Sequence, residues 1–425
     1  MKRYSEYKDS GVKWIGEIPE HWDCRKLKTL LFSPLQYGAN ASGVPYSEHL
    51  PRYIRITDIT LEGKLKHSDK LSLSYGDAAK YILKDKDILF ARSGASVGKT
   101  FLYKKEYGLS AFAGYLIKAE LGKELIPELL FYFTQSDIYE SWKNGIFIQS
   151  TIQNIGADKY SQLQIAIPPL PEQETIVTYL DSKVAKIDEY ISIAEKKIAA
   201  LEELKQTIIA EAVTRGIHKD VPMKDSGVKW IGMIPEHWKV NKIRSHFKER
   251  RVKVSDKDFQ ALSVAKIGIV PQLEDACKTD NGDNRKQVLK GDFVVNSRSD
   301  RKGSCGISPL DGSVSLINIV LRPFNILQEY VHYLFRSHNY IEEFYRNGRG
   351  IVADLWTTRY SEMRNIQIPV PPLYEQQEIV TYLDSKVANI NQLCQAERSQ
   401  IEKLKEYKQR LISDVVTGKV KVTND

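Results

Sequence analysis

YKDSGVKWIGEIPEHW at residues 7–22 and MKDSGVKWIGMIPEHW at residues 223–238 agree at 14 of 16 positions. Self-similarity on this scale decides the organisation of a chain before any local reading. A second pair answers the first: IVTYLDSKVAKI at 176–187 and IVTYLDSKVANI at 379–390 agree at 11 of 12. Just upstream stand Ile167-Pro168-Pro169-Leu170 and Val370-Pro371-Pro372-Leu373, each followed within two residues by Glu-Gln. Each unit therefore runs from a front motif, through a variable stretch, to a Pro-Pro boundary and a common tail. From Trp22 to Pro168 is 146 positions and from Trp238 to Pro371 is 133, so the variable stretches differ by 13 residues, and they share little identity. Duplication without functional meaning is the plainer account of the repeat. Against it, unconstrained drift would have blurred the frames as much as the inserts.

The tails read as coiled-coil helices. Leu180, Ile187, Ala194, Leu201 and Ile208 recur every seven residues, and Val184, Ile191 and Ile198 interleave at the other apolar heptad position. In the second tail Leu383, Ile390, Leu404 and Leu411 repeat the first series, with Glu397 interrupting, while Val387, Cys394 and Ile401 repeat the other. Lys205 and Lys408 break the seam at equivalent places. The proline pairs suit helix starts, and Gly216 and Gly418 suit helix stops. About 40 residues of helix is on the order of 60 Å long. Neither helix buries a one-sided seam alone, so the two are expected to pack together and to hold two globular domains at a fixed separation. Leu180, Val184, Ile187, Ile191, Ile198, Leu201, Leu383, Val387, Ile390, Ile401 and Leu404 are the expected helix-packing or partner-binding residues.

At 425 residues the chain is long enough for two sizeable cores, and 42% apolar with 27% charged residues is ordinary globular composition. The net charge of +8, from 62 basic and 54 acidic residues, permits a polyanionic partner without requiring one. No apolar run approaches the roughly 18 residues of a membrane span. The polar start lacks the apolar core of a signal peptide. Cys24, Cys277, Cys305 and Cys394 are far apart in sequence, which argues against a disulfide framework or structural zinc and for a reducing, cytoplasmic setting.

The inserts read as mixed α and β. Tyr53–Ile59 alternates like a strand. Asp87-Ile88-Leu89-Phe90-Ala91-Arg92-Ser93-Gly94 reads as a short apolar strand feeding a polar turn, and Gly291-Asp292-Phe293-Val294-Val295-Asn296-Ser297-Arg298 echoes it. Gly94-Ala95-Ser96-Val97-Gly98-Lys99-Thr100 tempts a phosphate-loop reading, but it has three residues where that loop needs four, and the second copy lacks it. An Asn/Asp-Pro-Pro-aromatic motif for adenine-N6 methylation fails too: Ile167 and Val370 replace the polar residue, and Leu170 and Leu373 the ring. The prolines are rigid connectors. His21 and His237, beside tryptophan in the front motifs, suit packing or partner contact. Asp188, Glu203 and Lys205 could be forced into a nuclease pattern but lie on a coiled-coil helix, where a solvated charged face is the commoner case. No catalytic constellation and no metal spacing emerges.

At this point the residues carry a family likeness. The frame SGVKWIGEIPEHW, the Pro-Pro-Leu-x-Glu-Gln boundary and the YLDSKVAKI helix, present twice, closely resemble the specificity subunits of Type I restriction-modification systems. The likeness covers the whole chain. It implies an α+β architecture: two α/β target recognition domains separated by two long antiparallel coiled-coil helices, with an internal pseudo-two-fold repeat. The expected layout is a first recognition domain with its front motif at 1–167, a helix at 168–216, a second recognition domain at 217–370, and a helix with its tail at 371–425. The resemblance further implies a non-catalytic subunit of a restriction and adenine-N6 methyltransferase complex that binds double-stranded DNA, two methyltransferase subunits and two restriction subunits. S-adenosylmethionine, ATP and magnesium would serve those partners, and this chain would hold no cofactor.

The residues agree with that reading on their own terms. Two near-identical frames offer one surface twice, and two unlike inserts offer two unlike readers, so the target would be split and asymmetric with an unread spacer of set length. Arg and Lys favour guanine edges, and Asn and Gln favour adenine. Candidate DNA contacts are Arg55, Thr57, Arg92, Ser93 and Lys99 in the first insert, and Asn296, Arg298, Arg301 and Lys302 in the second. Each of these has an ordinary surface or packing role as its alternative. Gln149, Ser150, Thr151 and Gln153 form a polar run that would shape the edge of the first domain. The rival readings are a coiled-coil scaffold without DNA readout, a divergent nuclease or methyltransferase, and a subunit serving modification only.

Overall fold

Pro168-Pro169 and Pro371-Pro372 stand immediately before two long helices, Leu170–Arg215 and Leu373–Val416. A proline cannot extend a helix backwards but suits its first turn, so each pair fixes where the helix begins. At the other ends Gly216 (φ +75°) and Gly418 (φ +73°) adopt the left-handed conformation that closes a helix cheaply only without a Cβ. The computed structural model describes residues 2–60, 63–66, 68–147, 154–274, 282–350 and 356–422. Its contacts divide the chain into two units, Met1–Ala194 with Ser399–Asp425, and Glu195–Arg398, and each long helix gives one stretch to each unit.

Within each unit the helix stretches pack antiparallel. In the first, Ile176, Leu180 and Ile187 share a core with Leu411, Ile412 and Val415, and Val184, Ile191 and Leu404 lie half-buried against it. In the second, Ile209, Ala212 and Val213 share a core with Ile379, Val380 and Leu383, with Ile208 and Val387 alongside. Ala194, Ile390, Cys394 and Ile401 are buried, and Ile198 and Leu201 half-buried, so the heptad face is the covered face. The charges that interrupt it are partnered. Lys408 Nζ donates to Asp188 Oδ1 at 2.6 Å, and Lys205 Nζ to Asn391 Oδ1 at 3.1 Å. Lys205 and Lys408 occupy equivalent positions of the two tails, and so do their acceptors, Asn391 and Asp188. Glu397 pairs with Lys197 at 2.5 Å.

The repeated residues account for one another. Trp22 Nε1 donates to Glu172 Oε2 at 3.1 Å, and Trp238 Nε1 to Glu375 Oε2 at 2.8 Å. His21 and His237 reach the same carboxylates at 2.9 and 2.5 Å. The glutamate of each Glu-Gln pair is thus the acceptor for the His-Trp of its own front motif. The glutamine beside it is buried. Gln173 Oε1 accepts from Ile126 N and Gln376 Oε1 from Leu327 N, both at 2.8 Å, while their amides donate to Pro168 O and Pro371 O. Tyr132 and Tyr333 donate to Asp181 and Asp384 of the YLDSKV motifs at 2.5 and 2.6 Å.

Each insert is a closed excursion from this frame. In the first unit the strand Asp23–Lys26, directly after Trp22, pairs antiparallel with Gln164–Ile167, directly before the prolines. In the second, Lys239–Lys242 pairs in the same way with Gln367–Val370. Between them the first insert builds an antiparallel sheet in the order Gln36–Tyr37, Leu116–Ala119, Ile88–Ala91, Thr100–Leu102. The second insert builds its counterpart in the order Phe247–Glu249, Asn318–Pro323, Phe293–Asn296, Cys305–Ile307. Helices Pro127–Phe133, Asp137–Phe147 and Ala157–Ser161 follow in the first, and Gln328–Arg336, His338–Arg346 and Tyr360–Met363 in the second. Inserts with little identity therefore share one order of elements.

The central strand shows why. Ile88 and Phe90 face one core while Leu89 and Ala91 face another, and Phe293 and Val295 likewise face the opposite core from Val294. A strand buried on both faces needs only apolar residues in alternation, which many sequences satisfy. The inserts differ in their second layer. The first has a four-stranded sheet in which Ser110–Phe112 runs parallel to Arg52–Ile54. The second has a three-stranded sheet and a separate hairpin, Leu262–Ala265 with Gly268–Pro271.

One local expectation is corrected here. The strand expected over Tyr53–Ile59 ends at Ile54, and Ile56–Asp58 is a 3-10 turn. The Asp58 carboxylate accepts from the backbone N–H of Arg55 at 2.8 Å and so caps the turn, which alternation of apolar residues does not reveal.

Candidate nucleic-acid interface

In both units the central strand runs into a polar turn of the same construction. Ile88–Ala91 leads through a 3-10 turn at Gly94–Ser96 to Thr100–Leu102. Phe293–Asn296 leads through Ser299–Arg301 to Cys305–Ile307. Gly98 (φ +84°) and Gly303 (φ +77°) make the return bend. The strand Thr100–Leu102 follows where a phosphate loop would begin a helix, so Gly94–Thr100 is a hairpin turn.

Each turn is tied to the polar stretch before the Pro-Pro boundary. Ser93 bridges Asn154, and Arg298 bridges Thr357, which also pairs with Arg349. Ile155 N donates to Arg92 O at 2.8 Å, and Thr358 N to Ser297 O at 3.0 Å. Gln149, Ser150, Thr151 and Gln153 lie outside the described residues; Asn154, next in the chain, is the residue that bridges Ser93.

At equivalent positions of this shared turn the side chains are unlike. Arg92 corresponds to Ser297 and Ser93 to Arg298, at a constant offset of 205 positions. Ser297 is buried and its hydroxyl donates to Ile317 O at 2.6 Å. Arg298 is exposed and pairs with Asp300 at 3.1 Å, and Arg301 approaches the same carboxylate at 3.7 Å. Lys302 pairs with Glu342 at 3.1 Å and lies over the Tyr345 ring. Asn296 Oδ1 accepts from Arg298 N at 3.1 Å, which braces the start of the turn. The second turn is thus a cationic cluster organised around single carboxylates.

The first turn is built otherwise. The Arg92 guanidinium carbon lies 5.0 Å from the Tyr37 ring centroid. Arg92 N donates to Tyr115 O at 3.1 Å, and Tyr115 is 62% exposed. Lys99 is half-buried on the return of the same turn. Arg55 and Thr57 lie on the separate turn after Ile54. Thr57 is exposed, whereas the Arg55 guanidinium is held by Asp58 (Nη2 to Oδ1, 2.8 Å) and by Asp69 O at 2.8 Å. The Asp58 hydrogen bonds raise the Arg55 pKa above its ordinary value.

Tyr37, Tyr115, Ile317 and Arg349 escaped the sequence reading. Tyr37 is an isolated aromatic on a two-residue strand, brought to Arg92 only by sheet pairing with Ile117. Tyr115 carried one usable signal, since it directly precedes the apolar pair Leu116-Ile117, whereas Asn318 separates Ile317 from its run; both are exposed. Among the described residues no group of three or more His, Cys, Asp or Glu could hold a metal ion, and no helix is long and apolar enough to cross a membrane.

Comparison with known proteins places these features. Residues 53–203 and 239–403 match the model of the Type I restriction modification DNA specificity domain. The chain is 27% identical over 444 aligned positions to a putative type I restriction enzyme MjaX specificity subunit of Methanocaldococcus jannaschii, covering 98% of each chain. It is 25% identical to the MjaVIII specificity subunit of the same organism, covering 87% of this chain and 89% of that one. Among solved structures, its fold is similar to a chain from work on complex assembly and conformational transition of the type I R-M system. There the TM-score is 0.71 and identity 17%, over 95% of this chain and 99% of that one. It is also similar to the HsdS subunit of Thermoanaerobacter tengcongensis, with a TM-score of 0.51 and 18% identity over 95% and 98%.

Proposed function

The chain belongs to the Type I restriction-modification DNA specificity family, and on that premise we propose that it reads a split, asymmetric duplex target, one half with each insert. The observation that carries this reading is the shared turn with unlike side chains: Arg92 and Ser93 in one unit, Ser297 and Arg298 in the other. Equivalent scaffolds position two readers in the same manner, and different donors at equivalent positions select different bases. The unread spacer between the halves would then be set by the length of the long helices. The chain itself contributes no reaction chemistry. Methyl transfer and cleavage, with S-adenosylmethionine, ATP and magnesium, belong to partner subunits in the cytoplasm.

Recruitment of two copies of the methyltransferase subunit, and of two restriction subunits, fits a second duplicated feature. Tyr190 and Tyr407, 62% and 49% exposed, stand two positions after Asp188 and one before Lys408 in sequence. Leu393 and Leu204, each about half exposed, occupy the equivalent positions beside Asn391 and Lys205. Exposed large apolar side chains that recur at equivalent positions of the two helices suit two copies of one partner.

The test is a map of methylated adenines in a host without its own modification systems, with this chain co-expressed with the methyltransferase encoded beside it. A split, asymmetric motif that vanishes when this chain is omitted is the expected outcome. Methylation that is identical without the chain refutes the proposal, as does methyltransferase binding with no DNA affinity, which would leave a scaffold.

A further inference from the structure

Among the candidate cations, Arg55, Arg298, Arg301 and Lys302 each lie against a carboxylate, whereas Arg92 forms no ion pair among the described residues. Its guanidinium instead lies over the Tyr37 ring, 5.0 Å from the centroid, and its Nε is buried without a hydrogen-bond partner. The backbone under it is fixed on both sides: Arg92 N donates to Tyr115 O and Arg92 O accepts from Ile155 N. Tyr37 is fixed as well. It sits in the central sheet opposite Ile117, and its hydroxyl accepts from Ala157 N at 3.0 Å.

A guanidinium that lies over an aromatic ring and is committed to no carboxylate leaves its two terminal nitrogens as a planar, paired donor edge. That edge matches the O6 and N7 acceptors of guanine in the major groove, the commonest specific contact arginine makes. A phosphate would also accept from it, but a phosphate contact needs neither an aromatic backing nor a backbone bolted at both peptide groups. Preorganisation of this kind removes rotamer entropy that recognition would otherwise cost. In the second unit the equivalent side chain is the buried Ser297, whose hydroxyl is occupied by Ile317 O, so the same contact is absent there.

The geometry points to Arg92 as the guanine-reading side chain of the first unit, with Tyr37 as its positioning residue. This rests on the DNA-reading function proposed above and assigns one base of one half-site to one residue.

The test uses the chain in complex with its methyltransferase subunit and duplexes in which each base pair of the mapped target is replaced in turn. In the wild-type complex, replacing one G·C pair of the first half-site should weaken binding by about 5- to 150-fold. With Arg92→Ala that penalty disappears, while every pair of the second half-site is still discriminated, which also reports an intact fold. Arg92→Lys should keep the salt dependence and retain only part of the guanine preference, because an ammonium can reach both acceptors but lacks the planar edge that Tyr37 backs. Tyr37→Leu should weaken the same preference, and Tyr37→Phe, which retains the ring, should restore most of it. If Arg92→Ala lowers affinity evenly over all duplexes with a shallower salt slope, Arg92 is a phosphate contact and the assignment is overturned. If every penalty is unchanged, it is overturned too, although the DNA-reading function stands. A wild-type complex that discriminates no pair in either half-site would remove the function itself.

Discussion

Glu375 and Glu172 are the same residue of the repeat in two environments, and the difference has measurable consequences. The Glu375 side chain is 7% exposed and that of Glu172 is 20%. Burial pushes the Glu375 carboxyl up, but hydrogen bonds from Trp238, His237 and Tyr374 more than offset it, so its pKa lies below the usual carboxylate value. Trp238→Phe removes one of these donors from a buried charge and should cost about 1.5–3 kcal/mol in denaturant unfolding. Trp22→Phe should cost less, about 0.5–1.5 kcal/mol, because water reaches Glu172. Equal losses would show that the frame contacts contribute independently of burial. His332 provides a pH signature. Burial, followed by Arg336 nearby, lowers its pKa to about 4, so it stays neutral in the folded unit. The unfolded chain takes up a proton there as pH falls below about 6.5, so stability is lost between about 6.5 and about 4. Phe131 holds the equivalent place in the first unit, one residue before the tyrosine that bonds the YLDSKV aspartate. His332→Phe should therefore fold and lose that part of the acid sensitivity; an unchanged pH profile between 6.5 and 4 would assign it to other groups.

At the scale of elements, the front motifs and the helix ends depend on each other. A Cβ on Gly418 would run into Pro19 and stand 3.2 Å from the Trp22 ring, and one on Gly216 would stand 3.1 Å from the Trp238 ring. Each front motif thus packs on the closing turn of the long helix that belongs to the other repeat. Both glycines have positive φ, for which a side chain costs about 1–2 kcal/mol. Gly418→Ala adds a collision with proline that Gly216→Ala avoids, so it should be the more damaging by thermal unfolding. A Gly216→Ala variant as unstable as Gly418→Ala would mean that strain in φ alone governs both ends. The helices themselves were legible in the heptads, because an apolar seam of that length on one face of a helix stays out of water only against a partner helix. The seam-breaking Lys205 and Lys408 were legible as interruptions, but not their partners, since Asn391 and Asp188 lie nearly 200 residues away or more.

For the whole molecule, the closed excursions make the inserts separable from the frame. Asp23–Lys26 and Gln164–Ile167 pair with each other and fix the ends of the first insert. Exchanging residues 23–166 for the insert of a relative should therefore change one half of the methylated motif and leave the other half intact. An unchanged motif in the methylation map would refute the assignment of one reader to each insert. The two units need not be matched in size for this: most of the 13-residue difference lies before the central strand, since Asp87 and Asp292 stand 65 and 54 positions after their front tryptophans.

The sequence by itself determined the duplication, the two long helices with their start and stop residues, the polar turn after each central strand, and the family. These are local or periodic features, in which neighbouring residues carry the physical cause. Only the tertiary structure decided that Arg92 lies over the Tyr37 ring, that Arg55 is held by Asp58 as a turn cap rather than lying in a strand, and that Ser297 is buried where Arg92 is half-buried. It also showed that dissimilar inserts share one order of strands and helices. Sheet pairing joins residues with no fixed spacing, and a strand buried on both faces asks only for apolar alternation. Many sequences meet that demand, so the pattern fixes the strand and leaves its partners, and every side chain they bring together, to the fold.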